Sequence, residues 1–299
     1  MNNPNIVKNT TKTAVRVSAV SITANTVLAA GKAAAGIFAH SPAMFSDGVH
    51  SASDVFSSII VIIGVKISAK KSDKLHPYGH ERFECVAAII LAVVLIVTGF
   101  FIGANAITRL SSENPDSFTE PGFAAVIAAI ISISVKEAMF WYTRYYAKKI
   151  DSGAVMADAW HHRSDALSSV GALIGIVGAR HGYPVLEPVA SLVICIFILK
   201  ASFDIFKDAV DKMIDRSCDC ETEDAVRSCV LQQNDVEGID MLKTRVFGNR
   251  IYVDIEIAVN GNKNLFEAHE IAEKVHEAVE TQFPKIKHIM VHVNPAKEE

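Results

Sequence analysis

Ser46-Asp47-Gly48-Val49-His50-Ser51-Ala52-Ser53-Asp54-Val55-Phe56-Ser57-Ser58 and Ala157-Asp158-Ala159-Trp160-His161-His162-Arg163-Ser164-Asp165-Ala166-Leu167-Ser168-Ser169 carry one polar pattern twice, inside apolar sequence. Aligned without a gap, they share the first Asp, the His, the Ser-Asp pair and the closing Ser-Ser. In each, the His and the later Asp are four residues apart, so on a helix they lie one turn above each other on one face. Two such helices packed face to face present His50, Asp54, His161 and Asp165 to a single ion. Two imidazoles and two carboxylates make a tetrahedral donor set for a divalent metal. Asp47 and Asp158 stand three residues before each His, on roughly the same face. They either orient the imidazoles from behind or sit nearer the boundary of the apolar region. His162 points about 100° away from His161 and reads as structural. Arg163 is a candidate to neutralise a carboxylate near the site.

The surrounding sequence decides where such an ion would lie. Half of the 299 residues are hydrophobic and 21% are charged, fewer charges than the ~25% usual in a soluble domain. Residues 86–107 run 22 positions without a charge, enough to cross the roughly 30 Å hydrocarbon layer of a bilayer. The other apolar segments are interrupted, as expected if they line a polar path. The pattern predicts six helical spans, near 14–38, 43–67, 84–109, 121–147, 154–179 and 186–208. Turn chemistry separates them at His40-Ser41-Pro42, Ser111-Ser112-Glu113-Asn114-Pro115-Asp116 and Arg180-His181-Gly182-Tyr183-Pro184. An even number of spans puts both termini on one side. Lys8, Lys12, Lys70, Lys71, Lys74, Arg82, Arg144, Lys148 and Lys149 all fall on that side, whereas the 111–120 loop is acidic. The positive-inside rule then places both termini in the cytoplasm of a multi-pass protein in the cell (inner) membrane.

Burying carboxylates in hydrocarbon is costly. A bound dication removes that cost, and so does protonation of the same groups. Metal and protons therefore compete for one set of side chains, the physical basis of an exchange of one for the other. Two rivals belong to other classes. A membrane-embedded metalloenzyme needs an open coordination position and a general base, but four protein ligands leave no such position and no HExxH helix is present. A passive metal sensor needs the site without flux. No enzymatic activity and no organic cofactor are expected. The net charge of −4 leaves no nucleic-acid footprint.

Residues 1–13 are polar, carry no signal-peptide pattern and read as a cytosolic tail. From about residue 209 charges become dense. Residues 221–233 predict an amphipathic helix, 239–247 and 250–259 two strands joined at Gly248-Asn249, 264–282 a second helix and 286–293 a last strand. The order α-β-β-α-β predicts a small α+β domain with helices on one face of a sheet. The division expected is therefore a tail (1–13), a six-helix membrane domain (14–208) and a cytosolic domain (209–299). Between the second and third spans, Asp73, His76 and His80 have metal-ligand spacing across a turn bent by Pro77 and Gly79. They are either a second metal site or two ordinary histidines in a solvated loop. The cysteines are Cys85, Cys195, Cys218, Cys220 and Cys229, an odd number without regular spacing, which argues against a disulfide scaffold. Cys218-Asp219-Cys220 is a weak soft-metal signal.

The paired Asp/His stretches, the six spans, the His-Pro-Tyr-Gly-His-Glu-Arg-Phe-Glu segment at 76–84 and the α+β tail together resemble the cation diffusion facilitator family over nearly the whole chain. The resemblance implies a homodimeric metal–proton antiporter that exports zinc or another first-row divalent ion. It implies a transport site at His50, Asp54, His161 and Asp165, an arrangement that looks zinc-preferring, with Fe²⁺, Mn²⁺, Co²⁺ and Cd²⁺ as alternative cargo. It also implies a metal at Asp73, His76 and His80, and a cytosolic ferredoxin-like (αββαβ) domain whose dimer interface binds metal. In that domain His269 and His292 match the family pattern. Asp240 and Glu256 stand where some members have His, and Asn294 replaces a carboxylate, so a metal there should be bound weakly or be harder than zinc. His276 and His288 read as surface residues.

Overall fold

A computed structural model describes residues 4–38, 51, 54–111, 123–180, 185–248 and 250–296. The chain divides into two compact units, one spanning Asn9–Val210 and the other comprising Met1–Lys8 and Asp211–Glu299. The first holds the long helices: α1 (Pro4–Phe38), α2 (Val55–Ser68), α3 (Arg82–Ser111), α4 (Phe123–Ile150), α5 (Gly153–Arg180) and α6 (Leu186–Met213). α1 is helical from Pro4, ten residues before the predicted start of the first span, so part of the polar N-terminal segment is helix. Proline is well suited to a first helical position, because the N–H it lacks would have had no partner there. The beginning of the predicted second span, with Asp47 and His50, lies outside the described residues, as do most of the predicted interhelical turns.

α5 is the hub of this unit. It packs on α4, α3 and α2, and α2 packs on α3. The contacts are built from small residues: Ala14 and Val17 of α1, Val61 and Val65 of α2, Ala87 and Leu91 of α3, and Ala154, Val155 and Ala157 of α5 form one buried cluster. Small side chains let membrane helices approach closely. Gly64 is the sharpest case, since a Cβ there would collide with the Ala87 methyl of α3.

Large apolar side chains in this unit lie on the outside as well as in the core. Val86, Ile90, Val93, Val97 and Phe100 form an exposed apolar stripe along α3, while Ala88, Leu91, Ala92 and Leu95 are buried on its other face. Inside, Ser18, Ser21, Asn25, Asp54, Lys136, Asp158 and His162 are buried. An exposed apolar stripe outside a core that holds buried polar groups is what a hydrocarbon solvent selects. Among the described residues, Asn9–Ala34 and Arg82–Thr108 are long and apolar enough to cross a membrane by length and composition.

The second unit contains α7 (Cys220–Leu231), β1 (Gly238–Phe247), β2 (Arg250–Val259), α8 (Leu265–Gln282) and β3 (Ile286–Pro295). The sheet order is β1-β2-β3, antiparallel between β1 and β2 and parallel between β2 and β3. Alternate β2 residues Ile251, Val253, Ile255, Ile257 and Val259 meet Ile271, Val275 and Val279 of α8 and Val226 and Val230 of α7 in one core. Gly248 holds φ 65 at the β1–β2 turn, a left-handed conformation that glycine adopts without strain.

Both helices of this unit are capped. Asp219 accepts from the Thr222 N–H at 2.9 Å, and Asn264 and Glu267 form a reciprocal capping box at the start of α8. Asn264→Ala is expected to cost about 1 kcal/mol. Amide hydrogen exchange should show faster opening in the first turn of α8, with α7 unchanged. Cys218 is buried in the core, where its desolvation pushes the thiol up, whereas Cys220 is exposed at the start of α7. The two thiols of the Cys-Asp-Cys segment thus face different environments.

Candidate metal centre

Asp54 immediately precedes α2, and its side chain caps no backbone N–H. It reaches across to α4 and α5 instead. His161 and Asp165 lie one turn apart on α5, so the helix itself sets their common face. Donor atoms of Asp54, His161 and Asp165 all lie within 4.8 Å of one another, and all three residues are buried. His161 Nε2 stands 3.5 Å from Asp54 Oδ1 and 3.9 Å from Asp165 Oδ2. Those separations are long for hydrogen bonds, and the Nε2 atom is buried without a hydrogen-bond partner. They suit a shared ion, because ligands of a tetrahedral Zn²⁺, each about 2.0–2.2 Å from it, stand about 3.3 Å apart.

A fourth residue enters that the repeated stretches did not announce. Lys136 of α4 donates to Asp54 Oδ2 at 2.6 Å and to Asp165 Oδ2 at 2.9 Å, and it is 2% exposed. The signal was present in the sequence: Lys136 and Glu137 interrupt the fourth apolar segment near its middle, and intramembrane charges mark functional sites. Arg163, the candidate to neutralise a carboxylate near the site, lies over the Phe140 ring at 4.4 Å, with Oε1 of Glu137, the neighbour of Lys136, at 3.8 Å. Its planar guanidinium stacks on aromatic faces, as arginine favours, and Lys136 takes the place beside Asp54 and Asp165.

Asp158 also has a definite place. Its carboxyl group accepts from Ser57 at 3.0 Å and from Ser58 at 3.2 Å, and His162 Nε2 is 3.7 Å away. Its partners are thus the closing Ser-Ser of the first stretch and His162. His162 is fully buried and its Nε2 meets the Ser21 hydroxyl of α1 at 3.1 Å.

Residues 18–214 match the family described as the cation efflux transmembrane domain, and residues 218–296 match the cation efflux protein cytoplasmic domain. The chain belongs to the cation diffusion facilitator family. The manganese efflux system protein MneP of Bacillus subtilis is 31% identical to this facilitator over 291 residues, covering 95% of this chain and 97% of that one. Metal tolerance protein C1 of Arabidopsis thaliana is 32% identical over 288 residues, covering 92% of this chain and 61% of that longer protein. The magnetosome protein MamM of Magnetospirillum gryphiswaldense is 31% identical over 261 residues, covering 87% and 81%. The facilitator is a membrane protein for divalent cation efflux, with a helical transmembrane domain followed by a cytoplasmic domain of helices and a three-stranded sheet.

A second three-donor group of the facilitator lies in the α2–α3 loop, where Asp73, His76 and His80 also come within 4.8 Å. Asp73 organises the turn. Its Oδ1 accepts from the Leu75 and His76 N–H groups at 3.0 and 2.9 Å, and its Oδ2 pairs with Lys70 at 3.0 Å. The Lys70 ammonium and the His76 N–H hold this carboxyl well below the usual carboxylate range. Gly79, at φ 103, makes the bend that returns His80 toward His76, with ring centroids 4.5 Å apart.

In the cytoplasmic domain, Asn294 donates to Asp240 at 2.9 Å and to Glu256 at 3.2 Å, so an amide bridges the two carboxylates. Asp240 sits in the bulge between Ile239 and Met241, and His292 is in register with Glu256. His269 is exposed on α8, with Glu273 at 3.7 Å. Among the described residues, the facilitator gathers three donors within ligand distance at the two clusters above and not in this domain. His276 pairs with Glu280 at 3.2 Å, and its ring lies 6.1 Å from that of His288.

Proposed function

We propose that this facilitator exports Zn²⁺ from the cytoplasm by proton antiport, as a homodimer that presents one intramembrane site alternately to either side of the membrane. The observation that carries the reading is the convergence of Asp54 with His161 and Asp165, buried and within ligand distance, from two stretches of like pattern. By that pattern His50 is the fourth donor, giving two nitrogens and two oxygens, a set that suits zinc. Protons loading the same four residues from outside would drive the return. Rocking of helix bundles about the site would supply alternating access. The termini face the cytoplasm of the cell membrane, the membrane domain runs from about residue 14 to 208, and the cytosolic domain follows. Asp73, His76 and His80 hold a second ion, and Asp240, Glu256, His269 and His292 form at most a weak third site.

A manganese cargo is the second reading, favoured by the name of the MneP relative. The affinity order of first-row ions does not decide physiological cargo. Proteoliposomes loaded at one pH and diluted into another would test both readings. Uptake of Zn²⁺ against its gradient, driven by the pH difference and suppressed by excess Zn²⁺ more than by Mn²⁺, Co²⁺, Cd²⁺ or Fe²⁺, supports the first. Stronger suppression by Mn²⁺ supports the second. Binding without pH-driven flux would indicate a sensor.

The loop site makes a separate prediction. Asp73→Ala or His80→Ala should remove one bound Zn²⁺ per chain in equilibrium dialysis, while the component that depends on Asp54 persists.

A further inference from the structure

Lys136 is the most unusual residue of the membrane domain: a nearly fully buried lysine whose ammonium bridges two carboxylates from two other segments. One of its partners precedes α2 and the other lies on α5, so the ammonium ties together the pieces that form the site. It uses Asp54 Oδ2 and Asp165 Oδ2, while Asp54 Oδ1 faces His161. The site therefore has a nitrogen side at His161 and a cation side at Lys136, with the carboxylates between.

An ammonium and a dication cannot share this pair of oxygens. An ion bound by both carboxylates and His161 would stand only a few ångströms from Nζ, where like charges repel with little screening in a buried setting. We propose that Lys136 is a tethered competitor of the cargo and acts as a charge filter. This inference rests on the reading of Asp54, His161 and Asp165 as the transport site. Cargo enters by displacing Nζ from Asp54 and Asp165, and Nζ returns between them when the cargo leaves. Either kind of cation gives up hydration on entry, but a monovalent one brings no more charge than the ammonium it must eject. A dication brings twice the charge and gains a nitrogen donor. The lysine thus lowers the affinity for every cation by one common displacement cost, which the stronger attraction of a dication to two carboxylates and a nitrogen overcomes and the weaker attraction of a monovalent ion does not. Its effect is one of occupancy: the ammonium fills the place between the carboxylates.

The test uses full-length protein in detergent and the part of Zn²⁺ binding that Asp54→Asn abolishes. Lys136→Met and Lys136→Gln remove the charge while keeping most of the volume. Both are expected to bind Zn²⁺ at least tenfold more tightly and to let millimolar Na⁺ compete, which it should not do in the natural protein. Lys136→Cys should behave likewise, and alkylation with 2-bromoethylamine, which rebuilds a side chain of near-lysine length bearing an ammonium, should restore the weaker affinity and the resistance to Na⁺. A structural role for Lys136 would not predict that reversal in protein already folded. Unchanged or weaker Zn²⁺ affinity in the neutral variants, or no effect of alkylation, would overturn the proposal. If Asp54→Asn leaves Zn²⁺ binding intact, the transport-site reading itself falls, which is a different result.

Discussion

Asp54→Ala and Asp165→Ala are each expected to reduce the initial rate of pH-driven metal uptake into proteoliposomes at least about 100-fold. The magnitude follows from the position of the two carboxylates. Loss of a group that only orients a metal ligand already costs about 10–100-fold in affinity or activity, and in the proposed site these two supply donor atoms themselves. Each also accepts a charge-assisted hydrogen bond from Lys136, at 2.6 and 2.9 Å. Removing either leaves the ammonium with one carboxylate, so the pocket loses a ligand and gains net positive charge. Both effects oppose a dication. Asp54→Asn and Asp165→Asn keep the shape and remove the charge, and they should be nearly as damaging. Gel filtration and circular dichroism separate this outcome from misfolding, because the alanine variants are expected to elute and fold as the natural protein does. Undiminished uptake by both would show that the ion passes elsewhere.

Much of this architecture could be read locally. The cytoplasmic domain has strands whose alternation is strict: Ile251, Val253, Ile255, Ile257 and Val259 all face the core. It has a helix whose start is written in the Asn264/Glu267 box. Period and capping are properties of short windows, so they survive without knowledge of the tertiary fold. The i, i+4 spacing of His161 and Asp165 is local in the same sense. What could not be read was which group answers each buried charge. Lys136 meets Asp54 from 82 residues away, and Ser57 meets Asp158 from 101. No periodicity encodes such pairings. Arg163 was the nearer cation in sequence, but aromatic faces on α4 hold it aside. Asp158 sits on the face that suggested a partner for His161, and the serines of α2 take it up instead. His50 and Asp47 lie outside the described residues, so their part in the site rests on the repeated pattern alone.

Asp158→Ala should lower the stability of the membrane domain by about 3 kcal/mol, and transport should fall with it. Asp158 is fully buried, and its two serine partners belong to α2 while it belongs to α5. A hydrogen bond contributes about 0.5–1.5 kcal/mol net, and a buried hydroxyl left without its partner costs about 1–3 kcal/mol. The alanine variant loses two such bonds and leaves a small cavity in a closely packed helix interface. Part of the loss is recovered because Ser57 already has a second acceptor, the Asp54 carbonyl at 2.8 Å. The measurement is a double-mutant cycle on thermal or denaturant unfolding, pairing Asp158→Ala with Ser57→Ala/Ser58→Ala. If the carboxyl group works as a clamp between α2 and α5, the combined loss falls short of the sum by about 1–3 kcal/mol, since each change removes the same bonds. Metal affinity that falls in Asp158→Ala while stability holds would assign Asp158 to the ion rather than to the helix pair. The clamp has a functional consequence. Asp54 enters the site from the residue just before α2, and Ser57 and Ser58 follow within its first turn. Fixing that turn against α5 therefore sets how far Asp54 stands from His161 and Asp165, so a loosened clamp should raise the metal concentration needed for half-maximal uptake even in molecules that remain folded.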